Sequence, residues 1–437
     1  MYKSKSLSLL IFSTEDIGSN IRLLSHAKSF SEQSNSKVLI LAPDITSLPK
    51  QIEKTKNIRR QYFHQYFSQL PSILLTILYP LKLFFYTIEL FIIAITYPSF
   101  DFCLVSYGES FFLSFCLSKW CHAKLIFDYP YLKWSKKDYK IGFLRRIEEK
   151  ILSFADYHIC STQAIHLVLR IRNINAFVIH DQNRLLLTEY YNSNLSDNKH
   201  DKIRAKMKNG GEINSINEEN IKDSGYFGNK YQSNDFISNK KAEIFQILNI
   251  NYNSEIEKPF LCGIPIPQFN EVIISKLLAI GDKLNQHQVA ACFVLFASQK
   301  IEKNVEKEIE KHTFSSTQFK VVSLHSDAYP FILSCCDFAI LFYPTLFGLE
   351  YSNELLDMIL FELPIVAYKH GSVTEAVKEG KNGFLFNNEA ELAKILNSIL
   401  IEKSVKLADL RSFYCSSDFD QKWNVEWARC FHHILFE

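Results

Sequence analysis

Residues 343–386 read YPTLFGLEYSNELLDMILFELPIVAYKHGSVTEAVKEGKNGFLF. Two short apolar runs frame this stretch, Phe338–Tyr343 at its start and Leu363–Tyr368 within it, each with the length and composition of a buried strand. Between them the pattern predicts a helix beginning near Glu350, behind the lone Gly348. Glu350 and Asp357 are seven positions apart, almost two turns at 3.6 residues per turn, so both acids are expected on one helix face. Strand, glycine turn, acidic helix and strand make one α/β unit. Open parallel sheets bind their ligands at the carboxyl ends of the strands, where this turn lies.

The same alternation runs outward along the chain. Leu7–Phe12 is followed by the loop STEDIGSN, a helical pattern over 21–30 and a second apolar run at 37–42. Further short runs at 100–105, 123–127, 157–160 and 176–179 extend this first series, and a second series occupies 260 to about 400. The reading is an α/β protein of two Rossmann-like, doubly wound lobes, one over 1–190 and one over 241–415. Residues 416–437 are expected to form a helix that packs back across the lobes. The segment 191–240 is rich in Asn, Ser, Lys, Asp and Gly, too polar to offset its ordering entropy, and is expected to be a disordered insertion.

At 437 residues the chain is too long for one ordinary core. A formal charge of +2 argues against nucleic acid as a partner. Ten cysteines lie scattered without a C-x-x-C, which fits buried, reduced thiols rather than zinc or disulfides. Residues 70–97 are almost wholly apolar, interrupted by Pro80, Lys82 and Glu89. Lys82 and Glu89 share one helix face, and a span here would cut the first lobe in two, so a helix that lies in a membrane interface or is part-buried in the lobe is expected rather than a span. Arg59, Arg60 and the basic run from Lys133 to Arg146 suit anionic head groups, a pyrophosphate or a solvated face.

Several segments, in order, carry a family resemblance. They are Asp16-Ile-Gly18 with Arg22, Lys124-Leu-Ile-Phe-Asp128, Phe154-Ala-Asp-Tyr157 with Ser161–Ile165, and Asp181. In the second lobe they are Ala328-Tyr-Pro330, Cys336-Asp-Phe338, Gly348-Leu349-Glu350 through Asp357-Met358, Leu363–Val366 and Asn382-Gly383, with Lys422–Trp427 after them. The collinear series resembles the chitobiosyl-diphosphodolichol beta-mannosyltransferases, GT-B enzymes whose two lobes face a cleft. The resemblance implies GDP-mannose as sugar donor, dolichol-linked chitobiose as acceptor, and an inverting beta-1,4 transfer. It also implies the cytosolic face of the endoplasmic reticulum membrane, a membrane surface as partner, and company with other early glycosyltransferases of lipid-linked oligosaccharide synthesis. No metal or other cofactor is expected.

Roles follow from that resemblance together with the chemistry of transfer. Gly348, Leu349, Glu350 and Asp357 are expected to hold the nucleotide sugar, the carboxylates accepting from its hydroxyls and the helix terminus facing phosphate. Inverting transfer needs a base, for which Asp16 and Asp128 are the candidates. Asp16 reads equally well as the cap of the helix that follows. Gly18 and Arg22 are expected at the acceptor's pyrophosphate. The chain departs from the family at Tyr129-Pro130-Tyr131, Gln182-Asn183, Thr345–Phe347 and Glu354, and Ala297-Ser298-Gln299-Lys300 stands in place of Gly-Lys-Gly, leaving Lys300 as the phosphate contact. Two other functions stay open: an inactive relative acting as a membrane scaffold, and a transferase using another nucleotide sugar.

Overall fold

The computed structural model describes residues 6–18, 20–33, 35–64, 72–97, 99–106, 111–132, 150, 152, 154–181, 234–250, 258–324, 328–342, 348–416 and 422–436. It divides into two compact units, Met1–Ser193 with Gln421–Glu437, and Asn194–Asp420.

The first unit runs β1 (Leu7–Phe12), α1 (Ile21–Ser31), β2 (Ser36–Pro43), α2 (Lys50–Glu53), β3 (Ile58–Phe63), α3 (Ser72–Thr96), β4 (Phe102–Ser106) and α4 (Phe111–Trp120). It continues with β5 (Lys124–Tyr129), β6 (Tyr157–Cys160), α5 (Gln163–Ile171) and β7 (Phe177–Val178). Its strands pair in parallel in the order β3-β2-β1-β4-β5-β6-β7. Helices cover both faces of such a sheet, so its strands read as continuous apolar runs; Leu9–Phe12 in β1 is wholly buried. The strand order reverses beside β1, which opens a crevice at its carboxyl end.

The second unit begins with α6 (Asn234–Ile247), β8 (Phe260–Ile266), α7 (Glu271–Gln286), β9 (Ala291–Ala297), α8 (Glu302–Ile309), β10 (Thr317–Ser323) and α9 (Tyr329–Ser334). Then come β11 (Phe338–Leu341), α10 (Asn353–Leu360), β12 (Ile365–Tyr368), α11 (Val373–Ala376), β13 (Gly383–Phe386), α12 (Glu389–Leu400) and α13 (Leu407–Ser412). Its parallel sheet has the order β10-β9-β8-β11-β12-β13, with the reversal between β8 and β11. The final helix, α14 (Lys422–Phe436), returns to the first unit. Its Trp423, Trp427, Phe431 and Ile434 join the core built by Leu9, Leu24, Phe30 and Leu104. Trp427 and Phe431 stack with ring centroids 4.1 Å apart, and the Trp423 indole N–H donates to Ser29 Oγ at 3.0 Å.

Several boundaries differ from expectation. The segment 191–240 lies outside the described residues up to 233, but α6 already starts at Asn234, so its last residues are helical. The basic run 133–146 also lies outside the described residues. The strand β3 has no apolar run to announce it: Ile58-Arg-Arg-Gln-Tyr-Phe63 is an edge strand, and edges carry polar residues. Nine of the ten cysteines, Cys415 aside, are free thiols.

Residues 72–96 do form one helix, α3. Tyr86, Leu90 and Ala94 are buried, whereas Leu81, Phe84, Phe85, Ile88, Phe91, Ile92 and Ile95 are exposed by 36% to 65%. That spacing gathers the exposed side chains into one stripe about a third of the helix circumference wide. Among the described residues no helix is long and apolar enough to cross a membrane.

Candidate functional site

In the first unit, α1 starts one turn after the crevice at β1. Asn20 is its cap, accepting from the Leu23 N–H at 3.1 Å, so the capping role open to Asp16 belongs to Asn20 instead. Asp16 is half-buried in the loop ahead of α1. Its Oδ1 accepts from the Gly18 N–H at 3.2 Å, and the Thr46 hydroxyl lies 2.7 and 2.8 Å from its two oxygens. Arg60 donates to the Thr46 carbonyl at 3.1 Å and to that of Pro43 at 3.2 Å, which fixes the β2–α2 loop against Asp16. A Cβ on Gly18 would stand 2.0 Å from Thr46 Oγ1. Gly18 is therefore required by the packing of two loops, and its N–H is already given to Asp16.

Arg22 and Asp128 also take different roles from those expected. Asp128 lies within β5, fully buried, and Arg22 from the first turn of α1 donates to both its oxygens at 2.7 Å. Arg22 also donates to the Ile179 carbonyl at 2.7 Å and to Asp181. Burial pushes the Asp128 carboxyl up, but Arg22 beside it prevails and holds it down at about 2. A carboxylate so acidic, buried and bidentately bound is not a proton acceptor for a substrate. Arg22, saturated by three partners and buried against Trp423, is not offered to a pyrophosphate. Both are corrected from site residues to a buried ion pair that ties α1 to β5. His26 completes the cluster: its Nδ1 accepts from the Trp427 indole at 3.2 Å, leaving the proton on Nε2, 3.6 Å from Asp128. Burial lowers the His26 pKa, so this imidazole is neutral.

In the second unit the expected helix begins later than its acidic pattern suggests. Ser352 caps α10, its hydroxyl accepting from the Leu355 N–H at 3.1 Å. Glu350 therefore stands in the loop, not on the helix, and the two acids do not stack along one face. Asp357, in the second turn, is buried and accepts from the Tyr329 hydroxyl of α9 at 2.9 Å. That bond joins two helices and gives Asp357 a packing role.

The loop after β11 is fastened to the loop after β12. Gly348 has φ +64°, and its carbonyl accepts from the Ser372 N–H at 3.0 Å. The Ser372 hydroxyl donates to the Glu350 carbonyl at 2.8 Å. A Cβ on Gly371 would lie 1.9 Å from the Gly348 oxygen, so only glycine permits this contact. Leu349 and Glu350 are partly exposed on this fastened pair, beside the strand-order reversal, while Lys300 is exposed on the turn after β9. Gly348, Leu349 and Glu350 follow β11 and Lys300 follows β9, each beyond the carboxyl end of a strand of the same sheet. Among the described residues no group of three or more His, Cys, Asp or Glu side chains forms a metal site.

No family model matches the chain. It is 28% identical over 143 residues to the chitobiosyldiphosphodolichol beta-mannosyltransferase of Candida glabrata, a match that covers 33% of this chain and 31% of that protein. It is 27% identical over 129 residues to the mouse protein of the same name, covering 29% and 26%. Over part of its length the chain is similar to several chitobiosyldiphosphodolichol beta-mannosyltransferases, as a divergent member of that family would be. The matched stretches span about a third of these relatives' length. The UDP-glycosyltransferase TURAN of Arabidopsis thaliana is similar to the same degree, 25% over 151 residues, covering 33% of this chain and 32% of that one. Among solved structures, Anabaena HepE in complex with UDP and glucose has a TM-score of 0.58 at 17% identity over 98% of this chain and 99% of that one. Two parallel α/β units with such neighbours make the fold GT-B.

Two residues of these loops escaped the sequence reading, Thr46 and His370, and Arg60 was singled out there for its charge and not as the anchor of Thr46. Thr46 and Arg60 carry no motif, because their relation to Asp16 exists only through loop packing. His370 stands directly ahead of Gly371, after an apolar strand, a faint signal for a loop at a carboxyl edge.

Proposed function

We propose that the chain is a glycosyltransferase that moves mannose from GDP-mannose to chitobiosyl-diphosphodolichol, forming a beta-1,4 bond with inversion. The observation that carries this reading is the similarity to mannosyltransferases of that name on a GT-B frame. The second unit takes the sugar donor at Gly348, Leu349 and Glu350, with Glu350 accepting from a hydroxyl. Lys300 offers its ammonium to the diphosphate as the bond to the sugar breaks. Asp16 takes the proton of the acceptor hydroxyl as the new bond forms, since Asp128, the other expected base, is buried and bound through both oxygens by Arg22. Thr46 orients its carboxylate.

The exposed stripe of α3 supports its reading as a membrane-interface face, and under this proposal the membrane is the cytosolic surface of the endoplasmic reticulum. An acceptor with a polyisoprenoid tail has to be met at a lipid surface, and seven apolar side chains on one helix face suit the acyl boundary. Other enzymes of early lipid-linked oligosaccharide synthesis are partners under this reading.

A second reading, a UDP-sugar donor, is favoured by the similarity to TURAN. Calorimetric titration of the purified full chain with GDP-mannose, UDP-glucose, GDP and UDP separates the two. Saturable binding of GDP-mannose, with weaker binding of the uridine compounds, is expected. Binding of UDP-glucose alone would overturn the donor assignment, and binding of none would return the chain to the scaffold reading.

A further inference from the structure

His370 lies in the loop after β12, and its carbonyl accepts from the Val373 N–H at 3.1 Å. The next two residues are the ones that fasten this loop to Gly348 and Glu350. The His370 side chain is half-buried, and both ring nitrogens are shielded from water. Among the described residues neither nitrogen has a hydrogen-bond partner, while the ring of Tyr368 lies 6.3 Å away at 32°. Buried polar atoms are nearly always paired, because an unmet donor or acceptor loses its water for nothing in return. Two unmet atoms on one ring, beside the loop that carries Glu350, call for a ligand.

The ring's charge state narrows the ligand chemistry. Burial lowers the His370 pKa, so the ring is a neutral imidazole with one N–H donor and one bare acceptor nitrogen. A phosphate oxygen only accepts and satisfies half of that pair. A hydroxyl both donates and accepts, so it can meet either nitrogen, whichever carries the proton. We propose that His370 holds a hydroxyl of the nucleotide sugar bound at Gly348–Glu350, and so helps to select that ligand. The inference rests on the glycosyltransferase reading and adds a residue to it. The hydroxyl belongs either to the sugar or to the ribose.

The test uses wild type, His370→Phe and His370→Gln of the full chain, each titrated with GDP-mannose, GDP, UDP-glucose and UDP and each melted without ligand. Phenylalanine keeps the ring and removes the unmet polar atoms, so the apo Tm is expected to stay level or rise. Its affinity for the nucleotide sugar that wild type binds is expected to fall at least tenfold. Glutamine, which retains a donor and an acceptor, is expected to recover most of that loss. A loss confined to the sugar nucleotide assigns the sugar hydroxyl, and an equal loss with the bare nucleotide assigns the ribose. Unchanged affinity in His370→Phe overturns the proposal while leaving the glycosyltransferase reading intact. A lower apo Tm in His370→Phe also overturns it, since the nitrogens would then serve the fold. Failure of wild type to bind any of the four compounds removes that reading and this proposal together.

Discussion

Arg22 holds Asp128 through two hydrogen bonds of 2.7 Å, joining residues 106 positions apart inside the core of the first unit. Breaking a buried pair leaves one charge without its partner, which costs about 3–5 kcal/mol. Arg22→Ala is therefore expected to lower the stability of the first unit by that amount in urea unfolding followed by tryptophan fluorescence, which reports on Trp423 and Trp427. A loss below about 1 kcal/mol, the scale of an exposed pair, would contradict the assignment.

The same pair sets a pH dependence. The Asp128 carboxyl is held at about 2, below its ordinary value of 3.8, so the unfolded chain binds its proton first as pH falls. Its contribution is complete above about pH 4 and is lost as pH drops towards 2. Asp128→Asn is expected to be less stable than wild type at pH 7, with a deficit that shrinks between pH 4 and 2. Asp181, raised by burial against the pull of Arg22, acts in the opposite sense and also feels the Asp128 charge, so the comparison is repeated in an Asp181→Asn background to isolate Asp128. Parallel urea midpoints across that range would refute the linkage.

Glu350 and Asp357 are expected to separate when mutated. Glu350→Ala should weaken nucleotide-sugar binding by about 1–3 kcal/mol with little change in Tm, because its side chain stands in the loop. Asp357→Ala should cost stability of about the same size, because it removes the acceptor of the Tyr329 hydroxyl. Tyr329→Phe should reproduce part of that loss. Calorimetry and thermal melting on the three variants check this, and a purely binding phenotype for Asp357→Ala would restore it to the sugar site.

How much of this was legible in the sequence depends on the range of the forces involved. Strands such as Leu7–Phe12 and Ala291–Ala297 are buried on both faces and announce themselves as apolar runs, so the two-lobe α/β fold could be read directly. The start of α10 could not, because the acidic spacing from Glu350 to Asp357 looks helical whether or not Ser352 interrupts it as a cap. Nothing local says that Arg22 meets Asp128 and Asp181, or that Thr46 reaches Asp16. Such pairings come from the order of strands in the sheet and from loops that meet at its edge. Sequence resemblance drew attention to these loops, whereas only packing shows which of their residues are tied into the scaffold, as Arg22 and Asp357 are.

The exposed stripe of α3 makes a separable claim. Replacing Phe84, Ile92 and Ile95, exposed by 57%, 58% and 65%, with glutamate should abolish co-sedimentation with vesicles containing anionic lipid. Because these side chains lie outside the core, the circular dichroism melt should move little. Equal sedimentation of the triple variant and wild type would remove the membrane-interface reading.

The central claim is that Asp16 serves as the base of a mannosyl transfer. It is tested most directly by following radiolabelled mannose from GDP-mannose into a chitobiosyl-diphospho-lipid acceptor, comparing wild type with Asp16→Asn. Asparagine keeps the shape and can still bond Thr46, but it cannot take a proton. The account predicts lipid-linked product from wild type and a fall in kcat of about 10²–10⁴-fold in the variant, with GDP-mannose affinity unchanged. Product formation at the wild-type rate by Asp16→Asn, or no product from a folded wild-type chain that binds GDP-mannose, would contradict it.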